Sequence, residues 1–272
     1  MCSSDLIGGT ADIHLHGAHV TAFTPRGHDP VIWMSQSSWF APGKPIRGGV
    51  PLCWPWFGPH PADPDRPAHG IARLREWTPI DSALLHDGRL RLRLGFHPRE
   101  RETAWVPPTL HAELTLTLGT ALELQLCTRN HGPDPVTFED ALHSYFAVGD
   151  LAGVSVTGLE DTVYADSLDQ RRLKIQTGPV TFTAETDRVY ADTAPATEIN
   201  DTAHARRIRI EKTGSRSTVV WNPWINKSKA MPDFGDHEWP HMCCVETANA
   251  RDGRITLLPG NQHETRLRIS IP

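Results

Sequence analysis

"HAELTLTLGTALELQLCT", residues 111–128, decides the fold. Ala112, Leu114, Leu116 and Leu118 alternate with Glu113, Thr115 and Thr117, and beyond Gly119 the alternation resumes through Leu122, Leu124 and Leu126. A period of two sends successive side chains to opposite faces of an extended chain, so each run reads as a strand with one dry and one wet face. The pattern returns in "RLRLRLGF" (89–96), "RRIRIEK" (206–212), "STVVWNP" (217–223), "GRITLLPG" (253–260) and "TRLRISIP" (265–272). Between these runs lie "HDG", "NHGPDP", "TGS" and "RDG", turn signals at the short spacing of antiparallel sandwiches and barrels. Segments of helical period are few and short, and no repeat or low-complexity linker divides the chain. An all-β antiparallel sandwich in one domain, residues 1–272, is the expectation.

Composition agrees and narrows the function. With 23 prolines and 21 glycines in 272 residues, the chain is punctuated too often for long helices. A net charge of −5 supplies no basic field to gather nucleic acid or anionic lipid, so any anion site must be local. The opening "MCSSDLIGGTADIHL" has neither a basic start nor an apolar run, and no stretch approaches the roughly 18–20 apolar residues that cross a bilayer. The expectation is a cytoplasmic protein, monomeric, with no membrane or nucleic-acid partner. Five cysteines, two of them adjacent at Cys243 and Cys244, suit reduced thiols better than a disulfide framework. Glycine-rich dinucleotide turns, phosphate-cradling loops ending in Gly-Lys-Ser or Gly-Lys-Thr, and Gly-x-Ser-x-Gly elbows are all missing.

Fifteen histidines raise the question of a metal. In "HLHGAH", His14 and His16 would share one face of a strand, with His19 just beyond, but no acidic or cysteine partner is fixed nearby. His237, His241, Cys243 and Cys244 match no zinc spacing, and adjacent cysteines on a strand point to opposite faces. Neither a metal nor a cofactor is expected.

Three separated blocks carry sharper signals. The first joins "IRGGVPLCWPWFGPH" (46–60) to "PAHGIARLREW" (67–77) and supplies Arg47, His69 and Arg73 among turns. Arginine in a rigid loop beside glycine suits an oxyanion, although it can equally be a solvated charge or a carbonyl clamp. Trp54, Trp56 and Phe57 can line a flat-faced ligand or belong to the core. In the second block, "FEDALHSYFAVGD" (138–150), an extended reading puts Ala141, His143, Tyr145 and Ala147 on one face. His143 is there either a hydrogen-bonded core residue or a proton-transfer group. In the third, "WPHMCCVETANA" (239–250), Met242, Cys244 and Glu246 share a face. A carboxyl ending an apolar row either marks the strand's exit to the surface or, held in the interior with a raised pKa, suits a general base.

Taken together, "RGGVPLCWPWFG", "AHGIAR", "LHSYFAVGD", "ETDRVY", "VVWNPW" followed by "KAMPDFGDHEW", and "CCVETA" with a later "LLPG" occur in an order that resembles the glucose-6-phosphate 1-epimerase group, the hexose-6-phosphate mutarotases, of the aldose 1-epimerase family. The blocks span residues 33 to 260. The resemblance implies a galactose-mutarotase-like β-sandwich and the interconversion of α and β anomers of a D-hexose 6-phosphate without metal or cofactor. It places the catalytic histidine at His143 and the catalytic glutamate at Glu246. It also assigns substrate and phosphate binding to Arg47 and Arg73, a sugar contact to His69, and a hydroxyl-binding carboxylate to Asp187. Some relatives carry an amide residue where this chain has Ala68, so one polar contact is missing or comes from elsewhere. The implied mechanism has Glu246 as base on the C1 hydroxyl and a protonated His143 as acid on the ring oxygen, with roles exchanged for closure. Two other readings use the same residues: a mutarotase of unphosphorylated aldoses, and a non-catalytic sugar-phosphate binder.

Overall fold

Residues 111–128 form two antiparallel strands, Leu110–Leu118 and Leu122–Asn130, with Leu114 paired to Leu126 and Leu116 to Leu124. The structure, a computed structural model, describes residues 2–6, 8–60, 62–102 and 104–272, with 2–6 and 101 as backbone alone. Along Leu110–Leu118 every second residue is buried, as the alternation requires. Each leucine removed from water on that face contributes roughly 1.5–3 kcal/mol.

These two strands belong to a nine-stranded sheet that takes in Leu90–Phe96, Arg206–Thr213 and Gln262–Ser270. An eight-stranded sheet lies against it, ordered Arg172–Ile175, Val163–Asp166, Thr186–Ala191, Ser217–Asn222, Met242–Asn249, Asp140–Leu142 and Leu52–Cys53, with Tyr145–Ala147 also paired to Met242–Asn249. All pairings within both sheets are antiparallel. The single α-helix among the described residues, Trp224–Ala230, is seven residues long. The expected all-β sandwich with few short helices is therefore the observed architecture.

The core lies between the two sheets, where Leu114, Leu124, Ile210 and Leu267 of one meet Leu142, Tyr190, Val220 and Val245 of the other. One feature departs from the one-dry-face expectation. Ser217–Asn222 and Met242–Asn249 are buried at every position. Their second face carries its own apolar floor: Cys53, Ala141, Val189, Val219 and Ala248 in one cluster, and Trp33, Tyr145, Trp221, Met242 and Cys244 in another. The strands are thus dry on both sides, which a central strand between two covering layers must be. Among the described residues, no helix is long and apolar enough to cross a membrane.

Candidate active site

Pairing register determines what stands on that second floor. Across neighbouring strands Asp187 lies opposite Trp221 and Trp221 opposite Cys244, while Val189, Val219 and Glu246 align one step along. Tyr145 is opposite Cys244 on the other side. Glu246 therefore rises between two apolar clusters, with Asp187 on its own face of the sheet. It does not exit at the surface: its residue is 2% exposed.

His143 stands in the break between the strands Asp140–Leu142 and Tyr145–Ala147, its backbone N–H donated to the Pro51 carbonyl at 3.0 Å. The ring stacks on Tyr145 at 4.9 Å and 11°, and its Nε2 comes within 3.4 Å of Glu246 Oε1. Burial, then Arg73 and Arg47, hold the His143 imidazole down to about 3. Burial first, and Asp187 next, push the Glu246 carboxyl well above its usual range. Both shifts disfavour the charged forms. The dry floor penalises both charges. Moving one proton from Glu246 to His143 produces the ionised pair. Nδ1 of His143 and Oε2 of Glu246 are buried without a hydrogen-bond partner among the described residues.

Arg47 lies on the loop that leads into the edge strand Leu52–Cys53. Its Nε and Nη2 donate to Asp233 at 3.2 and 3.3 Å, and Nη1 donates to the Tyr145 hydroxyl at 3.1 Å. The guanidinium is thereby fixed against the same tyrosine on which His143 stacks. The two glycines after Arg47 are required by space: at Gly49, with φ +68°, a Cβ would lie 2.3 Å from His19 Nε2. His19, one of the histidines weighed as a metal ligand, instead braces this loop by bonding the Gly48 carbonyl at 2.8 Å. His16 bonds the Lys44 carbonyl, and His14, at the last position of its strand, packs against Phe40 with the rings tilted at 43°. In the second set, His241 bonds the Gly149 carbonyl, and Cys243 and Cys244 face the core and the site floor respectively.

Arg73 lies in a single 3₁₀ turn, Ala72–Leu74. One Nη donates to the Ala68 carbonyl at 2.9 Å, Nε is buried without a partner, and no carboxylate among the described residues forms an ion pair with it. Burial lowers its pKa, with Arg47 adding to the effect. Ala68 thus contributes its backbone to the site, and its methyl supplies no polar contact.

His69 has a left-handed backbone, φ 65°, and its ring meets that of His143 at 5.6 Å. Its Nδ1 receives the Gly58 N–H at 3.3 Å and lies 3.4 Å from Cys53 Sγ. With Nδ1 accepting, the ring proton belongs on Nε2. Burial keeps this ring well below the ordinary histidine pKa. Phe57 packs edge-on to His69 at 4.9 Å and belongs to the site floor, whereas Trp54 and Trp56 are in the main core, which decides between the two roles open to these aromatics.

All six residues singled out from the sequence, Arg47, His69, Arg73, His143, Asp187 and Glu246, converge here. Sequence reasoning missed the groups that set them: Tyr145 and Asp233, which fix Arg47, and Arg251 at the rim. Arg251 has φ 60°, its N–H is held by Glu139 Oε1 at 2.5 Å, and Glu139 Oε2 takes the Phe57 N–H at 2.9 Å. One carboxylate so ties the Phe57 loop to the turn after Glu246. Asp233 lay inside a quoted block, "KAMPDFGDHEW", but spacing gave it no role. Outward from Phe57 and Arg251 opens a neighbouring cavity of about 790 Å³, lined also by Trp56 and Arg171.

One group of side chains has the donor types of a metal centre. His143, Cys244 and Glu246 present a nitrogen, a sulfur and an oxygen within 4.8 Å of one another, all buried.

Comparison with known proteins places this geometry in context. The profile of the family described as aldose 1-epimerase matches residues 4–270. A protein of Cenchrus ciliaris named "putative glucose-6-phosphate 1-epimerase" is 35% identical over 273 residues, covering 96% of this chain and 80% of that one. The crystal structure of a "putative mutarotase" from Salmonella typhimurium superposes with a TM-score of 0.92 at 30% identity, covering 99% of this chain and 89% of that one. A galactose mutarotase-like protein from Lactobacillus casei shares the fold with a TM-score of 0.76 at 15% identity, over the whole of both chains.

Proposed function

From the premise that this chain belongs to the aldose 1-epimerase family, matched over residues 4–270, we propose that it interconverts the α and β anomers of a hexose 6-phosphate. The observation that supports the phosphorylated substrate is Arg73: a half-buried guanidinium whose Nε is fully buried without a hydrogen-bond partner, with no carboxylate ion pair among the described residues, next to an acid–base pair. An uncompensated buried cation is costly, and a substrate anion offsets that cost. The relatives named for glucose 6-phosphate point the same way.

In the proposed reaction Asp187 and His69 Nε2–H hold sugar hydroxyls, and Arg73, with the remaining donors of Arg47, holds the phosphate. The phosphate charge offsets the repulsion that Arg73 and Arg47 exert on His143. The proton shared by the pair then passes to His143, leaving Glu246 as carboxylate. Glu246 takes the proton of the C1 hydroxyl, the C1–O5 bond breaks as C1=O1 forms, and His143 delivers its proton to O5. Rotation about C1–C2 turns the other face of the aldehyde to O5. Closure runs the transfers backwards, so neither oxidant nor net proton is consumed. Fixing the remote phosphate positions C1 and O5 between the pair.

NMR exchange spectroscopy between the anomers of glucose 6-phosphate and of glucose tests this. Acceleration of the phosphorylated sugar well above that of glucose is expected, with loss in His143→Ala. Equal acceleration of both sugars selects the mutarotase of unphosphorylated aldoses, and none for either overturns catalysis.

A further inference from the structure

We propose that His143, Cys244 and Glu246 form an inhibitory site for a thiophilic divalent cation of the zinc type, open to the ion only while the sugar is absent. The proposal rests on the donor geometry; that occupancy inhibits rests on the reading of His143 and Glu246 given above. Their ligating atoms lie within 4.8 Å of one another, with Nε2 and Oε1 already at 3.4 Å. Donors at about 2.0–2.3 Å around one tetrahedral zinc stand roughly 3.3–3.8 Å apart, so closure needs side-chain shifts of about an ångström. Oε2 of Glu246 has no competing partner among the described residues, so the carboxylate is free to turn.

Donor chemistry selects the ion. One sulfur, one imidazole nitrogen and one carboxylate oxygen suit zinc and its neighbours, whereas magnesium and calcium require a shell of oxygens that this apolar floor lacks. Charge selects it as well. Binding expels the thiol proton of Cys244 and the carboxyl proton of Glu246, so M²⁺ + Cys–SH + Glu–COOH + His gives a neutral three-ligand complex and two protons. A neutral complex tolerates the dry floor better than either anion alone does. The fourth position faces the sugar pocket, where water completes the tetrahedron. The bound ion occupies the lone pairs needed for proton transfer and the space needed by C1 and O5, so metal and sugar exclude each other.

Cobalt(II) added to the reduced, full-length chain reads the site directly, because a thiolate ligand gives a charge-transfer band in the near ultraviolet. The band is expected in the unmodified protein, lost in Cys244→Ser and in His143→Ala, and suppressed by excess glucose 6-phosphate. In parallel, zinc inhibition of anomer exchange should be reversed by a chelator and weakened on the order of 100-fold in Cys244→Ser, no less than loss of an outer-shell partner costs a metal site. Cys244→Ala is measured beside it, with circular dichroism to certify folding. No band in the folded protein, a band that survives Cys244→Ser, or indifference to the sugar phosphate overturns the proposal. The band needs no turnover, so failure of the proposed catalysis leaves it readable, and anomer exchange without added metal tests catalysis separately.

Discussion

Replacing Arg73 by Met should convert a phosphate-selective site into an indifferent one while making the empty protein more stable. Met matches the length of the arginine stem and removes the charge. What is lost from the complex is a charge-assisted contact with phosphate, worth about 1.5–3 kcal/mol per hydrogen bond. The free Nε–H and the Nη groups not bonded to Ala68 allow two such bonds. Taking about 3 kcal/mol for the pair, kcat/KM for glucose 6-phosphate falls roughly 150-fold at 1.4 kcal/mol per decade. Glucose makes no such contact, so its kcat/KM stays put and the ratio of the two collapses by the same factor. Stability moves the other way. An uncompensated buried charge costs about 3–5 kcal/mol where burial is complete, and Arg73 is half-buried and keeps one bond, to the Ala68 carbonyl. A net gain of about 1 kcal/mol remains, about 2 °C or more in Tm for a chain of this size. Exchange spectroscopy on both sugars and scanning calorimetry on the empty protein give the two numbers. An unchanged sugar ratio together with a lower Tm would mean that Arg73 is a structural clamp, and the phosphate assignment would fall.

Glu246→Gln keeps the shape and removes the base, so anomer exchange should drop about 10²–10⁴-fold, while the melting temperature at pH 7 rises because the amide, unlike the carboxylate of the unfolded chain, has no charge to neutralise on entering the dry floor; a drop under tenfold would remove Glu246 from the proton path. Gly49→Ala forces a Cβ to 2.3 Å from His19 Nε2 at φ +68°, and a loss of about 3 kcal/mol or more in urea unfolding is expected, with weakened sugar-phosphate binding as Arg47 is displaced; a near-neutral result would show that the loop relaxes freely. Lys212 tests the core: burial pushes its ammonium down from 10.5 to about 8, so the unfolded chain keeps a proton that the native state has lost between those values. Wild-type stability should therefore rise from pH 8 to pH 10.5, and below pH 8 the cost is roughly 3 kcal/mol at 1.36 per unit. Lys212→Met removes that cost and forfeits bonds to the Ser217 carbonyl and Ser215 Oγ at 2.7 and 3.2 Å, about 1 kcal/mol each, leaving about 1 kcal/mol of stabilisation at pH 7 and a flat profile above pH 8; a variant that still gains stability with pH would contradict this account.

The sheets were legible because alternation is local. Leu110–Leu118 and Leu122–Asn130 announce themselves in any window of nine residues, and their burial follows the expected parity except at Cys127, which is buried on the outer face. Ser217–Asn222 was recognised as a strand but assigned the wrong surroundings, since six residues do not reveal that a second layer covers their outer face. The six site residues could be named from their blocks, yet what fixes them could not. Tyr145 and Asp233 are separated by 88 positions and meet only through Arg47, and Glu139 joins Phe57 to Arg251 through backbone N–H groups that leave no trace in composition. The shifts in proton affinity at His143 and Glu246 leave no local trace either. They depend on burial, and burial depends on pairing register.

That dependence explains why the site sits on a sheet face apolar enough to resemble a second core. In water an imidazole holds its proton about two units more tightly than a carboxyl group, so a proton passed between them runs mostly one way. Burial lowers the first and raises the second, against their order in water. A substrate phosphate beside Arg73 and Arg47 removes part of the repulsion acting on His143 and brings the two affinities back toward each other. Ring opening and ring closure require the pair to exchange roles within one turnover, and a pair matched in proton affinity does so with the least uphill transfer in either direction. An unphosphorylated sugar fills the same hydroxyl contacts but leaves the repulsion in place. On the proposed reading the apolar floor and Arg73 therefore act on the same quantity from opposite sides, and selectivity for the phosphate is expected in kcat as well as in KM. Equal kcat values for glucose and glucose 6-phosphate, differing only in KM, would show that the phosphate anchors the sugar without tuning the pair.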